Sequence, residues 1–268
     1  MIKWGLTCFF EDRRQLIKIV DLARKYPMLK YIEIRGERPF FSPEDLKRND
    51  IKFFRTVIEK SGLAVTMHAT FYDINLSTIN SYLRKANLQC YKTYLDLARQ
   101  INAHTMVLHG GYLHHDMVGI KSLRTMAVNH LIENLKILGD YAAKRNIFIA
   151  LENSPPNRYH LMVKDWQSHK RILKAVNHPR VKAIFDIAHA HLHRLDIGRY
   201  YQNIKNYLVE LHVHNNDGQS DLHTAIDEGT INYQKFFEQN TISVPVIMEI
   251  RNISEAIQSL RWIKKIES

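Results

Sequence analysis

The sequence has few cysteines and lacks long hydrophobic runs. Its 268 residues include two cysteines, Cys8 and Cys90, which cannot build a disulfide framework and form no C-x-x-C metal motif. It has no run of about 18 apolar residues, the length needed to span a membrane. The first residues also lack the basic and apolar regions of a signal peptide. We therefore expect a cytoplasmic protein without disulfides and without a membrane partner.

Charge and histidine content are both unusual. The chain has 38 Lys and Arg against 27 Asp and Glu, a formal net charge of +11 with histidine neutral. This excess suits an anionic partner, although composition does not distinguish nucleic acid from a small phosphate compound. There are also 15 histidines. Because histidine is the commonest metal ligand, their positions are the first place to look for a metal site.

Short apolar runs alternate with longer amphipathic stretches along the whole chain. The predicted strands are Lys3–Cys8, Tyr31–Arg35, Ala64–His68, Thr105–His109, Phe148–Glu152, Lys182–Asp186, Glu210–His214 and Val246–Ile250. Eight strand–helix units in about 250 residues predict an α/β protein with a (β/α)8 TIM barrel. We expect one domain over residues 1–268. A doubly wound sheet is the alternative, but residues 7–11 are not its glycine-rich phosphate turn.

Charged side chains follow six consecutive predicted strands, at the point where each strand ends. They are His68, His109, Glu152, Asp186, His214 and Glu249, and His189, Asp221 and His223 follow in the adjoining loops. In a barrel these strand ends converge on one face. Charged groups so near a core are costly unless they are paired or bind metal. Imidazoles and carboxylates without thiolates suit zinc, manganese, iron or nickel, so we predict a metal site there.

These strand ends resemble the endonuclease IV and xylose isomerase-like TIM-barrel superfamily over essentially the whole chain. The matching segments are His68 with residues 72–76, His109-Gly110-Gly111, Leu151-Glu152-Asn153, Asp186 to His189, His214 to Asp217, Asp221-Leu222-His223 and Glu249. The resemblance to endonuclease IV implies up to three divalent ions, zinc first, with manganese or iron possible. By that resemblance His68, His109 and Glu152 hold one ion. Glu152 bridges to a second ion held by Asp186, His214 and Glu249, and His189, Asp221 and His223 hold the third.

The resemblance to endonuclease IV implies hydrolysis of the phosphodiester 5′ to an abasic site in DNA. Two predicted loops suit this substrate. The first, from Arg35 through Arg38 to Phe41, mixes cations with aromatic rings, and the second carries Tyr72. Two departures count against DNA cleavage: Leu222 stands where a basic residue is usual, and Asp227 replaces a glycine.

The sugar isomerase and epimerase branch of the same superfamily is the alternative. It needs only four ligands, here Glu152, Asp186, His214 and Glu249. One metal would orient two sugar oxygens while Glu152 and Glu249 move a proton, and His189 would contact a sugar or sugar phosphate. A third hypothesis is a barrel without catalytic activity that binds a phosphorylated ligand or nucleic acid.

Several other histidines lie near the predicted site. His114, His115, His191 and His193 are expected on loops or in first helical turns at the surface, although His191 and His193 could exchange roles with His189. His212 is two residues before His214, so both side chains point to the same side of the strand. We expect His212 one layer deeper, where it could hydrogen-bond a metal ligand.

Overall fold

Eight parallel strands close into a barrel in the computed structural model, which describes residues 2–8, 13–38 and 41–267. The barrel strands are β1 (Trp4–Cys8), β2 (Leu29–Gly36), β3 (Ala64–Ala69), β4 (Ala103–His109), β6 (Phe148–Glu152), β8 (Val181–Asp186), β9 (Leu208–Val213) and β10 (Val246–Met248). They are hydrogen-bonded in the order β1-β10-β9-β8-β6-β4-β3-β2. The predicted TIM barrel is confirmed, and each predicted strand lies within two residues of an observed one at both ends.

Helices follow the strands on the outside of the barrel. They are α1 (Arg13–Lys25), α2 (Arg48–Ser61), α3 (Ser81–Gln100), α4 (Lys121–Ala143), α5 (Trp166–Val176), α6 (Ile187–Leu192), α7 (Ile197–Ile204), α8 (Tyr233–Gln239) and α9 (Ile253–Ile266). Side chains cap several of them: the Asn80 amide oxygen accepts the N–H groups of Tyr82 and Leu83 in the first turn of α3, and Asp165 caps α5. Within the described ranges, no helix has both the length and the apolar character that a membrane crossing requires.

A two-stranded antiparallel ribbon stands beside the barrel at the carboxyl-terminal ends of its strands. It consists of β5 (Tyr112–Leu113) and β7 (His160–Leu161), which belong to the loops after β4 and β6. Gly111 precedes it with φ +83°, and a Cβ there would lie 2.2 Å from the Asn75 side-chain oxygen. Glycine is therefore required at this close approach between two loops.

A buried histidine fixes the end of β6. The His169 Nε2–H donates to the Leu151 carbonyl at 3.0 Å, and Nδ1 accepts the Tyr200 hydroxyl at 3.1 Å. Because a carbonyl only accepts hydrogen bonds, this pair of contacts selects the neutral Nε2–H tautomer. Burial lowers the pKa of His169 from 6.5 to about 4, although the Leu151 contact opposes the change.

This histidine makes a specific prediction about stability. Between pH 6.5 and 4 the unfolded chain protonates His169 while the folded protein does not, so the free energy of unfolding decreases as the pH falls. We expect His169 to account for a loss of about 3 kcal/mol between pH 7 and pH 4. Urea denaturation of wild type and His169→Gln across this range measures it, with the exposed His115→Gln as control. Equal pH dependence in wild type and His169→Gln would contradict the assignment.

Candidate metal centre at the mouth of the barrel

A cavity of about 410 Å³ opens at the carboxyl-terminal end of the strands, and we call it the mouth. All nine predicted ligands lie there, at or just after a strand end or in an adjoining loop, except that His189, expected in a loop, lies in the first turn of α6. Six of them line the cavity: His68, His109, His189, Asp221, His223 and Glu249. Glu152, Asp186 and His214 lie beneath these six and are fully buried. The structure therefore brings together residues up to 181 positions apart, as the barrel requires.

The first cluster contains His68, His109 and Glu152. The Nε2 atoms of His68 and His109 lie 3.2 Å and 3.0 Å from the same Glu152 oxygen, Oε2. The ligand atoms of the three residues all lie within 4.8 Å of one another. Their grouping agrees with the first ligand set that the resemblance implied.

The central cluster contains three acids, Glu152, Asp186 and Glu249, together with His212. One ligand atom of each lies within 4.8 Å of the others. The resemblance had implied His214 in this set, but His214 belongs to the neighbouring cluster and reaches the central one only through Asp186, 3.3 Å away. His212 and His214 point to the same side of β9, but His212 lies deeper in the barrel than His214. His212 Nδ1 therefore lies 3.2 Å from Glu152 Oε1.

The third cluster contains His189, His214, Asp221 and His223. Asp221 is its centre, with Nε2 of His223 at 3.3 Å and Nε2 of both other histidines at 3.6 Å. The His214 and His223 rings are stacked, with centroids 3.8 Å apart. His189 also lies 3.7 Å from Glu152 and from Asp186, so this cluster adjoins the central one.

Backbone carbonyls set the orientation of three of these histidines. His68 Nδ1 lies 2.8 Å from the Ala69 carbonyl, and His189 and His223 make the same contact with the carbonyls of Asn153 and Glu249. Since a carbonyl accepts, Nδ1 carries the proton in each ring. In the neutral ring the Nε2 lone pair then faces the carboxylates, as in a histidine that ligates a metal.

Several buried polar atoms at the mouth have no hydrogen-bond partner among the described residues. They are Asp186 Oδ2, both ring nitrogens of His214, Asp221 Oδ1 and Glu249 Oε1. Leaving such atoms unpaired in a protein interior is costly, so their convergence calls for a further group. Oxygen and imidazole donors in this arrangement fit a divalent cation.

The electrostatics of the cluster show how its charges balance without a cation. Burial raises the pKa of Glu152, but His109, His212 and His68 outweigh it and hold that pKa well below its usual value. Burial lowers the pKa of His189, whereas Asp186, Asp221 and Glu152 together raise it to about 10. A protonated His189 thus offsets part of the carboxylate charge here. A bound cation would displace those protons, so its affinity falls as the pH is lowered.

Two of the three predicted substrate-binding residues lie at the mouth. The Arg35 side chain is buried, pairs with Glu37, and has Nη1 3.9 Å from Glu249 Oε1. Tyr72 lies at the rim with 60% of its surface exposed, and its ring contacts Phe71 at 4.5 Å between centroids. Both positions are compatible with substrate contact, which stays a prediction.

The third residue, Arg38, does not line the mouth. Its guanidinium pairs with Glu44 at 2.7 Å and Asp45 at 3.0 Å on the surface, because these acids of the same loop lie nearer than the barrel. Phe41, at the end of this loop, is fully buried with its edge against Phe54. Phe41 is therefore a core residue, and its ring is not available to stack on a nucleic-acid base. Residues 39 and 40 of the loop lie outside the described ranges.

The structure adds residues that the sequence did not single out. Phe71 stacks on His109 with ring centroids 4.7 Å apart and forms one wall of the mouth. Asn153 holds Asp186 by two hydrogen bonds, accepting its N–H and donating to its carbonyl. Each lies close in sequence to a predicted ligand, but its residue type alone does not predict a position in the wall of the mouth or beside a ligand.

The remaining histidines near this face lie outside the clusters at the mouth. His191 contacts the Thr230 hydroxyl at 2.8 Å, and His193 contacts the Ser154 carbonyl at 3.0 Å. His114 and His115 form a separate, more exposed group with Asp116. None of the four therefore exchanges roles with His189.

Comparison with known proteins gives concordant results. The xylose isomerase-like TIM barrel family matches residues 20–266. MJ1311 of Methanocaldococcus jannaschii is 27% identical over 229 residues, covering 82% of this chain and 75% of that protein. Fructoselysine 3-epimerase of Escherichia coli O157:H7 is 27% identical over 231 residues, covering 83% of this chain and 81% of that protein. The crystal structure of a D-tagatose 3-epimerase-like protein superposes with a TM-score of 0.86 at 22% identity, covering 99% of this chain and 97% of that protein.

Proposed function

We propose, from the premise that the chain belongs to the xylose isomerase-like TIM barrel family, that it is a divalent-metal-dependent epimerase or isomerase of a small sugar. The observation that carries this proposal is the pair Glu152 and Glu249. Both are buried at the mouth, at the ends of strands that stand three places apart in the ring of eight, and each offers an oxygen within 4.8 Å of the other and of Asp186.

Two such glutamates suit proton transfer at a carbon next to a carbonyl. One carboxylate removes the α-proton and becomes a carboxylic acid, which returns that proton to the neighbouring carbon in an isomerisation. In an epimerisation the other glutamate takes up a proton from solvent and delivers it to the opposite face of the same carbon. A divalent cation held by Glu152, Asp186, Glu249 and a histidine would supply polarisation of the substrate oxygens. His189, with Nε2 toward the mouth, is placed to contact the substrate.

The size of the site and the relatives support a small substrate. A volume of about 410 Å³ falls within the range of small-molecule sites, about 300–1,000 Å³. Phe71 and Tyr72 add apolar wall on one side. The fructoselysine 3-epimerase relative acts, by its name, on a sugar derivative. This supports the epimerase hypothesis in preference to phosphodiester hydrolysis.

Turnover of ketoses in deuterium oxide tests the proposal. The protein is loaded separately with Mn²⁺, Co²⁺, Mg²⁺ or Zn²⁺ and incubated with D-tagatose, D-psicose, D-fructose, their phosphates and fructoselysine. We expect a new epimer or isomer of at least one compound, with deuterium at the reacting carbon. Absence of both product and deuterium with every metal would reject the proposal.

Phosphodiester hydrolysis is the second candidate, and a specific observation favours it. Four further candidate ligands lie beside the central acids: His68 and His109 in the first cluster, and Asp221 and His223 in the third. An enzyme that binds one metal ion does not need these additional ligands. Metal analysis near three ions per chain and scission of an abasic-site duplex would support it. One ion per chain and an intact duplex would support the sugar enzyme.

Replacing His109 with alanine separates the two candidates. If the enzyme is a one-metal epimerase, we expect sugar turnover to fall about tenfold, the lower end of the usual cost of removing a metal ligand's partner, because His109 contacts Glu152 without belonging to the central cluster. If it is a hydrolase, we expect duplex scission to fall at least about 100-fold, because a metal ligand is lost. Steady-state rates at saturating Mn²⁺ or Zn²⁺ measure both.

The exposed His115→Ala variant is the control, since His115 lies in the surface group and not at the mouth. It should retain wild-type rates in either assay. A loss of sugar turnover in His109→Ala as large as that in Glu249→Ala would contradict the one-metal assignment.

A further inference from the structure

A second polar layer lies beneath the mouth, inside the barrel. It consists of Glu33 on β2 with Glu210 and His212 on β9, all fully buried. The interior of a TIM barrel is ordinarily filled by branched apolar side chains, and Val107, Ala150 and Ile184 fill part of it here. Two carboxyl groups and an imidazole at this depth cost free energy that apolar residues would not.

Hydrogen bonds connect this layer to the metal centre through His212. Its Nδ1 lies 3.2 Å from Glu152 Oε1, and its Nε2 lies 3.1 Å from Glu33 Oε2. The Thr7 hydroxyl donates to the other Glu33 oxygen at 3.0 Å, which fixes that carboxylate in turn. A continuous chain of contacts thus runs from the interior to a carboxylate of the central cluster.

Glu210 has the same depth but a different relation to His212. Its Oε1 is 3.6 Å from His212 Nε2, beyond a hydrogen bond, and instead accepts the Thr66 hydroxyl at 3.3 Å. The imidazole therefore has one close carboxylate partner in the interior, Glu33, and one neighbour that it does not bond.

The two oxygens of Glu152 have separate partners. Oε1 faces His212, whereas Oε2 faces His68 and His109 in the first cluster. A ring held at both nitrogens cannot rotate, so it fixes the plane of the Glu152 carboxylate.

We propose that Glu33 is a positioning residue for Glu152, acting through His212. Glu33 holds the imidazole so that the Glu152 carboxylate keeps the orientation in which it faces the cation and the substrate. Without the Glu33 carboxylate the ring can turn toward Glu210, and Glu152 loses its support. The catalytic part of this inference rests on the proposed function, whereas the part concerning metal binding does not.

Titration of the metal-free protein with Mn²⁺, followed by calorimetry, tests the proposal. We expect Glu33→Gln to weaken Mn²⁺ binding about 10–100-fold, the usual cost of removing the partner of a metal ligand. Glu210→Gln is the matched control, because Glu210 is a glutamate of equal burial that does not hydrogen-bond His212, and it should remain within threefold of wild type. Equal weakening by both variants, or Mn²⁺ affinity of Glu33→Gln within threefold of wild type, would overturn the proposal.

Two further measurements complete the test. For a sugar that the wild-type protein converts, measured at saturating Mn²⁺, Glu33→Gln should lower kcat and leave KM unchanged. Glu33→Asp keeps the charge and should therefore retain part of the kcat that Glu33→Gln loses. If wild type turns over no sugar but Glu33→Gln still weakens Mn²⁺ binding, the positioning role stands and the proposed function fails. Should Glu33→Gln not fold, Glu33→Asp decides: it must bind Mn²⁺ at least threefold more weakly than wild type.

Discussion

Replacing Glu249 with glutamine is expected to lower kcat for sugar epimerisation at least about 100-fold, the lower end of what a positioned acid or base contributes. Glutamine preserves the shape of the side chain but neither takes up nor delivers a proton. Burial raises the pKa of Glu249, but His212, Arg35 and His223 hold it below its usual value, so the wild-type residue is a carboxylate ready to accept a proton. Rates at saturating Mn²⁺ measure the effect.

The exposed Glu238→Gln variant is the control for this substitution, because Glu238 lies at the end of α8, away from the mouth, and accepts a hydrogen bond from Gln234. It should keep the wild-type kcat. A Glu249→Gln enzyme that turns over sugar within threefold of wild type would remove Glu249 from the proton transfer.

Removal of the metal is expected to abolish turnover and to lower the melting temperature by about 5–10 °C. Binding at about 100 times the dissociation constant stabilises a folded protein by about 2.7 kcal/mol, and each kcal/mol shifts Tm by about 2–4 °C at this size. The carboxylates of Glu152, Asp186 and Glu249 converge at the mouth, and a cation would relieve their repulsion. Thermal unfolding with EDTA, then with Mn²⁺ restored, measures the change.

Two variants locate the source of this shift. Asp186→Asn removes a buried acid of the central cluster and should lose the Mn²⁺-dependent increase in Tm. His114→Ala removes a member of the surface group and should retain it. Loss of the increase in His114→Ala alone would assign the effect to the surface group, and equal Tm with and without EDTA would contradict a tightly bound metal.

The strands and their polar ends could be predicted from sequence because they depend on local patterns. An apolar run such as Ile149-Ala150-Leu151, followed by Glu152, is long enough for one buried strand and ends where a charge appears. Closure of the barrel then brings such ends together whatever the details of the loops. That residues 1–268 form one domain stays a prediction.

The details that the sequence could not provide depend on three-dimensional structure. Strand alternation places His212 and His214 on one side of β9 and predicts the deeper His212 beside a metal ligand, but only the barrel shows that this ligand is Glu152. Arg38 was expected at the site, and the nearby acids Glu44 and Asp45 hold it on the surface.

The position of Glu249 in the chain links the metal centre to protein synthesis. Glu249 follows β10, which is the last of the eight described barrel strands in chain order and closes the ring by pairing with β1. A nascent chain that already contains His68 and Glu152 still lacks this acid and the seam that places it. The nine predicted ligands therefore come together only once β10 has been made and has paired with β1, so a chain cut before β10 is expected to lack the proposed cation site.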